Sequence, residues 1–298
     1  MVQAEHTLNA SGDDASVIAS VVDLLQGKFK DRNIFVGLDR DGTIVPYAAR
    51  PEAAKVDPEL SALLNVLSEK PGICVGIISA RSVAQLRGDF DVKKMFLAGN
   101  YGMEIACPRG EVHIQPFALE AVPSLKKVRD RLSKLVRMGG ILEDHGYSLC
   151  LHWHQVAVEN VEIVKQEVAA MKHEFSSLQF SALPTSFEVK PLVVWNKGEA
   201  LDQIFGKHAK LLGNSYPLYA GDSAADEPAF AWVNGKGGIS IRVGNGVAHS
   251  RAAAVGGTNG LGHVAADSET CSSYRMANIE NLRVLLRCIV GLKQPEWR

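Results

Sequence analysis

The sequence predicts an α/β protein whose doubly wound parallel sheet is interrupted by an inserted α+β segment. Short, almost wholly apolar runs at residues 34–38, 73–78, 95–98, 218–220 and 239–243 read as strands buried on both faces, with amphipathic helical stretches between them. Between residues 117 and 190 that alternation gives way to helix, two strands, helix, two strands. With 298 residues and 46% hydrophobic content, the chain can bury a sizeable core and is long enough for two units.

Each element follows from a local signal. Residues 1–14 read as a polar arm, after which Val17, Ile18, Val21, Val22, Leu24 and Leu25 recur at helical spacing and predict a helix on the sheet edge. The run at 34–38 stops in Asp39, Arg40, Asp41, Gly42 and Thr43. A loop through Pro51 leads to a helix over 58–69 and a strand over 73–78, which together with the first strand form a βαβ unit. Ser79, Ala80 and Arg81 close that second strand. A helix starts at 83–86, a strand covers 95–98, and Gly99-Asn100-Tyr101-Gly102 precedes a hairpin of 103–106 with 112–116. The insert reads as helices 117–137 and 158–175, with strand pairs 141–143/149–153 and 179–183/186–190. The core resumes with a helix opening at Lys197-Gly198. A strand at 218–220 then runs into Gly221-Asp222-Ser223, followed by a strand at 239–243 and a terminal helix over 276–292. The expected division is therefore a core of 1–116 and 191–298 and an insert of 117–190. Gly260-Leu261-Gly262-His263-Val264-Ala265 matches a weak dinucleotide pattern, but it follows a Gly/Ala/Thr-rich segment, not a strand, and reads as loop.

Composition narrows the function classes. A formal net charge of −1 supplies no electrostatic case for nucleic acid or an anionic membrane surface, so a small-molecule partner is expected. The five cysteines are scattered without a CxxC pair, which indicates neither a disulfide framework nor a structural zinc site and fits a reducing cytoplasm. The first residues lack a signal-peptide pattern, and no apolar stretch reaches membrane-spanning length. A monomer or small homo-oligomer is expected.

The chemistry lies where strands end. If strand geometry persists, Asp39 and Asp41, two apart, leave the backbone on the same side, and Gly42 permits a tight exit. In a doubly wound sheet the ligand crevice lies at the carboxyl ends of the strands, which gathers Asp39, Asp41, Ser79 and Asp222 towards one place. Taken singly, Asp-x-Asp-Gly is a common turn, Ser79 a helix cap, Lys197 a surface charge, and Asp222 a turn residue. Glu227 reads as first-turn helix charge and stays outside the metal set. The order of Asp39/Asp41, Ser79, Lys197 and Asp222/Asp226 carries the weight, and together they describe phosphoryl transfer.

That order resembles the haloacid dehalogenase superfamily, with its DxDGT, Ser/Thr, Lys and GDxxxD-like motifs and its Rossmann-like core. Within it, LDRDGTIVP, ISARSVAQL, LAGNYGMEI, FEVKP with NKGEAL, and GDSAADEPAF are similar, in order, to segments of the trehalose-6-phosphate phosphatase family. The resemblance implies a Mg2+-dependent sugar-phosphate phosphatase that hydrolyses trehalose 6-phosphate through an aspartyl-phosphate intermediate. Asp39 would be the nucleophile and Asp41 the general acid and base, with Ser79 and Lys197 on the phosphoryl oxygens. Mg2+ would be held by Asp39, the Asp41 carbonyl and Asp222, with Asp226 in support. The insert would be a C2-type cap facing the sugar.

The implied sugar contacts are Glu143, His152, His154, Glu188 and Lys190, with Arg81 and Asn100 on the core side. Two departures stand out: Ser223 replaces an aspartate and Tyr101 replaces a histidine of the family pattern. Changed cations in the cap leave related leaving groups open: sucrose 6-phosphate, a glucosyl- or mannosyl-phosphoglycerate, or a pseudo-disaccharide phosphate. From another class comes a non-catalytic sugar-phosphate sensor, against which the intact aspartate pair argues. A transition-metal site on His145, His152 and His154 ranks below sugar or phosphate contact, and that in turn below a plain structural role for at least one of them.

Overall fold

The computed structural model describes residues 12–48, 50–91, 93–108, 110–183, 185–244 and 270–293. The weak dinucleotide pattern at 260–265 lies outside the described residues, as do residues 1–11 of the expected arm.

In chain order the core opens with α1 (Gly12–Lys28), β1 (Ile34–Leu38), α2 (Pro58–Glu69), β2 (Ile73–Ile78), α3 (Val83–Leu86), β3 (Phe96–Gly99), β4 (Glu104–Ala106) and β5 (Val112–Ile114). The insert follows as α4 (Pro116–Leu135), β6 (Ile141–Asp144), β7 (Leu149–His152), α5 (Val158–Glu174), β8 (Leu178–Ala182) and β9 (Ser186–Pro191). The chain returns through α6 (Lys197–Lys207), α7 (Ala209–Leu212), β10 (Tyr216–Gly221), α8 (Glu227–Gly235), β11 (Ile239–Val243), β12 (Tyr274–Met276) and α9 (Ile279–Val290).

The large sheet has the order β12-β11-β10-β1-β2-β3-β4-β5, parallel from β12 to β3 and antiparallel at β4 and β5. β1 is wholly buried because its alternate residues enter two cores. Ile34, Val36 and Leu38 join α1, α2 and α9 through Leu25, Leu60, Leu64 and Leu285. Phe35 points the other way, into the layer of α6 and α8 with Tyr219, Ile204 and Phe230. Helices on both faces explain why the strands read as continuous apolar runs.

The small sheet, β6-β7-β9-β8, is antiparallel. Leu149, Leu151, Phe187 and Val189 cluster with Leu125, Val128 and Leu132 of α4 and Val164, Val168 and Met171 of α5. By strand alternation the other face carries Glu143, Cys150 and Glu188 side by side across three strands, with His152 two residues further along β7. This face is polar. The doubly wound core and the capping α+β layer expected from sequence are both present.

Several boundaries shift by one or two residues, and the two at the ends of the described core have identifiable causes. The helix starting at Gly12 takes Asp13 and Asp14 into its first turn, and Asp14 accepts hydrogen bonds from Asn281 Nδ2 (2.6 Å) and the Ala277 amide (3.1 Å). The expected terminal helix over 276–292 starts only at Ile279, because Asn278 is extended and its side chain caps the Asn281 amide. Residues 274–276 instead form a parallel edge strand too short to show a period. Among the described residues no helix is long and apolar enough to cross a membrane.

Candidate active site

Strand register brings the polar strand ends together. Leu38 is level with Ala220 of β10 and Ile77 of β2, and the Asp39 amide donates to Ala220 O at 2.9 Å. Asp39, Ser79 and Asp222 therefore emerge at the same edge, at the switch point where the chain leaves β1 in one direction and returns on β10 in the other.

Lys197 is the centre of the buried group. Asn196 caps α6 by accepting from the Gly198 and Glu199 amides, which places Lys197 at the first turn, 2% exposed. Its Nζ lies 2.7 Å from Asp39 Oδ1 and 2.7 Å from Asp226 Oδ1. Asp226 also accepts from Tyr219 Oη at 2.7 Å, from the Asp222 and Ser223 amides, and from Ser223 Oγ. With both oxygens so engaged, Asp226 holds the lysine and the β10 exit loop in place. Ser223 contributes to that hold by forming a reciprocal cap with Asp226.

Asp222 accepts from Thr43 Oγ1 (3.1 Å) and Tyr47 Oη (3.0 Å), and Thr43 Oγ1 lies 3.3 Å from Asp39 Oδ2. Carboxylate oxygens of Asp39, Asp222 and Asp226 lie within 4.8 Å of one another. Burial pushes Asp39 up to about 6; Lys197 opposes the rise and Asp226 adds to it. Asp222 is pushed well above the carboxylate range by burial and by Asp39 and Asp226. Asp226 falls below its ordinary value because Lys197 and its hydrogen bonds outweigh its burial. Burial works against the Lys197 charge as well, but Asp226 and Asp39 prevail and its pKa is raised.

Once all three carboxylates are ionised, as a bound cation favours, they leave a formal excess of two negative charges over the one ammonium. All-oxygen donors with that excess suit a hard divalent cation, so the residues present fit such an ion.

Strand geometry, the condition for the same-side expectation, does not reach Asp41. β1 ends at Leu38 and the chain turns, the Gly42 amide donating to Val45 O at 2.8 Å. The Asp41 carboxylate is held by two arginines: Arg40 Nη1 at 2.6 Å, and Arg81 through Nε at 2.7 Å and Nη2 at 2.8 Å. Arg40, 1% exposed, is itself fixed by Asp89 and Ala54 O. Arg81 also donates to Pro51 O, and the cap's Glu143 adds to the field that favours its charge.

Ser79 is buried, its Oγ accepting from the Arg81 amide at 3.2 Å. The cap of α3 is Ser82, in a reciprocal box with Gln85.

The segment after β3 joins core to cap. Asn100 and Tyr101 have φ of 50° and 58°, an unusual left-handed pair of non-glycine residues. Asn100 is fully buried; its Nδ2 donates to Glu104 Oε1 and His145 O, each at 2.8 Å, and its Oδ1 accepts from Ser148 Oγ at 2.6 Å. The side chain that the sequence suggests for substrate contact is thus engaged in the core–cap seam. His145 Nδ1 meets Gln85 Oε1 at 2.9 Å. Tyr101 Oη donates to Glu188 Oε1 at 2.5 Å, and Lys190 Nζ sits 4.8 Å from the Tyr101 ring centre and 3.5 Å from Glu188 Oε2. Burial, then Glu188, raises the Tyr101 pKa well above its usual value.

Of the remaining cap residues, Glu143 Oε1 lies 2.5 Å from His152 Nε2, and the His154 ring is 5.9 Å from that of His152. Sequence reasoning does not single out Arg40, Tyr47 or Tyr219. Arg40 lies between two aspartates past the end of β1, where a charge is unremarkable, and the tyrosines carry no local signal either.

The trehalose-phosphatase family profile matches residues 37–255. The chain belongs to the trehalose-phosphatase family. It is 31% identical over 249 residues to an uncharacterized glycosyl hydrolase of Mycobacterium tuberculosis, which covers 78% of this chain and 18% of that protein. It is 28% identical over 232 residues to trehalose-phosphate phosphatase B of Arabidopsis thaliana, 72% of this chain and 60% of the relative. The C-terminal domain of a Candida albicans trehalose-6-phosphate phosphatase superposes with a TM-score of 0.69 at 20% identity, over 91% of this chain and 97% of that one. The chain thus spans less than two thirds of the length of either sequence relative. Asp39, Asp41, Lys197, Asp222 and Asp226, with Tyr101 and Ser223, all fall inside the matched residues.

Proposed function

We propose that this chain hydrolyses trehalose 6-phosphate to trehalose and phosphate, with Asp39 as nucleophile and Mg2+ as cofactor. The observation that carries the reading is the contact of the Asp39 carboxylate with Lys197 inside a buried group that also holds Asp222. Asp39, Asp222 and the Asp41 carbonyl would hold Mg2+, which neutralises phosphoryl charge as the anion approaches an anionic nucleophile.

Asp39 attacks phosphorus, the P–O bond to the sugar breaks, and an aspartyl-phosphate forms. Lys197 and Ser79 clamp the phosphoryl oxygens and Asp226 keeps Lys197 in place. Asp41 gives a proton to the leaving oxygen, then takes one from the water that cleaves the acyl phosphate and restores Asp39. To carry a proton, Asp41 must be released by one of its guanidinium partners. Arg81 is the candidate, because it is 8% exposed whereas Arg40 is 1% exposed and is also tied to Asp89.

On the cap, Glu143, His152, His154, Glu188 and Lys190 offer acceptors and donors suited to a polyhydroxylated leaving group, with Tyr101 fixing Glu188 from below. The Arabidopsis relative bears the name of the same activity.

The test is phosphate release from trehalose 6-phosphate, sucrose 6-phosphate and glucose 6-phosphate, with Mg2+ and with EDTA, on the native chain and on Asp39→Asn. A preference above about tenfold for trehalose 6-phosphate, lost with EDTA and in the variant, is expected. Equal rates on all three would reject the sugar assignment. Substantial Mg2+-dependent turnover by Asp39→Asn would reject the covalent route.

A further inference from the structure

A second donor cluster lies on the polar face of the small sheet. Glu143 of β6 and Cys150 of β7 are cross-strand partners, and His152 lies two residues beyond Cys150 on the same face. A carboxylate oxygen, Sγ and an imidazole nitrogen of these three residues lie within 4.8 Å of one another. The Glu143 and His152 side chains are only 9% and 7% exposed. This is an O, S, N set, unlike the all-oxygen group around Asp39, and thiolate with imidazole selects a softer ion.

We infer that Glu143, Cys150 and His152 form a binding site for a zinc-class transition-metal ion, separate from the hard-cation group of the core. The spacing supports it. In a tetrahedral site with Zn–S of about 2.3 Å and Zn–N of about 2.05 Å, sulfur and nitrogen stand about 3.5 Å apart. The Cys150 Sγ to His152 Nε2 distance is 3.5 Å. The matching oxygen-to-nitrogen edge is about 3.3 Å, so Glu143 Oε1, now 2.5 Å from His152 Nε2, has to swing back by about 0.8 Å. Glutamate can do so by rotating its own stem, with no movement of the sheet.

Strand pairing already fixes the backbones of β6 and β7, which lowers the ordering cost of bringing three ligands to one ion. Binding releases the Cys150 thiol proton to solvent, and the proton between His152 Nε2 and Glu143 Oε1 leaves Nε2 as well, to Nδ1 or to solvent, so that Nε2 offers a lone pair. Three protein ligands leave the fourth position to water, the pattern of an open site. The site uses no core aspartate, but it shares Glu143 and His152 with the sugar contacts proposed above, so an ion held there would occupy part of the cap's sugar face; metal binding itself is read without substrate or turnover.

The experiment titrates the protein, saturated with Mg2+ to fill the core group, with Zn2+ by equilibrium dialysis and separately with Co2+ by absorption spectroscopy. The native chain is expected to take up one Zn2+ at this site and to show a thiolate-to-cobalt charge-transfer band. Cys150→Ser should abolish the band and weaken Zn2+ binding by at least about tenfold, with Cys150→Ala behaving alike. Cys107→Ser, which removes the other cysteine paired with an imidazole (His208 Nε2 at 3.1 Å), should keep both signals. A native chain with no band would overturn the site, as would a band that survives loss of Cys150 or disappears with Cys107.

Discussion

Lys197→Met removes one charge and keeps most of a buried side chain's length. The ammonium sits 2.7 Å from each of two carboxylate oxygens, and the lysine is 2% exposed. At an effective dielectric of about 20, each contact represents about 6 kcal/mol of attraction, or about 12 kcal/mol gross. The burial penalty of the ammonium cancels much of that, and removing one partner of a buried ion pair typically costs about 3–5 kcal/mol. Here the cost should fall at the upper end, because two carboxylates lose the same counter-charge. In a chain of this size that corresponds to a melting temperature lower by roughly 6–20 °C.

The assay is thermal unfolding without metal and then with Mg2+, which should recover more stability in the variant than in the native chain because it replaces part of the missing positive charge. Phosphate release should fall by about 10²–10³ as an anion clamp is lost. A variant that melts within about 2 °C of the native chain without metal would refute the electrostatic reasoning. One that also turns over normally would remove Lys197 from the site.

Three other perturbations probe different parts of the structure. Gly42→Ala places a methyl group 2.3 Å from Asp222 Oδ2 at a φ of +89°, costing about 1–2 kcal/mol in backbone strain alone; Mg2+ titration of activity should show weakened metal affinity, and an unchanged titration would contradict the geometry. Tyr101→Phe deletes the 2.5 Å hydrogen bond to Glu188 and should raise KM for trehalose 6-phosphate while sparing turnover of a small aryl phosphate; equal effects on both substrates would deny the seam a role in sugar recognition. Asp57→Ala removes the α2 cap and should cost about 1 kcal/mol in thermal unfolding near neutral pH. Its backbone hydrogen bond to Leu60 and its contact with Arg283 hold Asp57 below the ordinary 3.8. Its contribution is therefore present above 3.8 and lost as pH falls through the lowered value, so the gap between native and variant should close in acid; a gap that widens there reverses the sign.

Legibility followed the range of the forces involved. β1, β2 and β11 were visible because burial on both faces demands continuous apolar residues. The core acids were visible because their chemistry needs particular residue types just past those strands. β12 was missed because three residues cannot display a period, and the start of α9 depended on the Asn278 cap. The Asp39/Asp41 spacing could not foretell that the strand stops at Leu38 or that Arg40 and Arg81 would hold Asp41. Asn100 has the composition of a sugar contact and the position of a seam bolt.

From the sequence alone came the alternating core, the inserted α+β segment, the nucleophile candidate and the order of the acidic and basic groups, since periodicity and residue type are local properties of a chain. Only the tertiary structure decided which charges meet. The whole insert separates Lys197 from Asp39 along the chain, and 29 positions separate it from Asp226, yet one ammonium touches both. Parallel pairing of β1 with β10 aligns their ends, and the cap of α6 aims its first turn at them. Charge partners in a folded protein are set by strand register and helix placement, and neither is written in the spacing of the residues that use them.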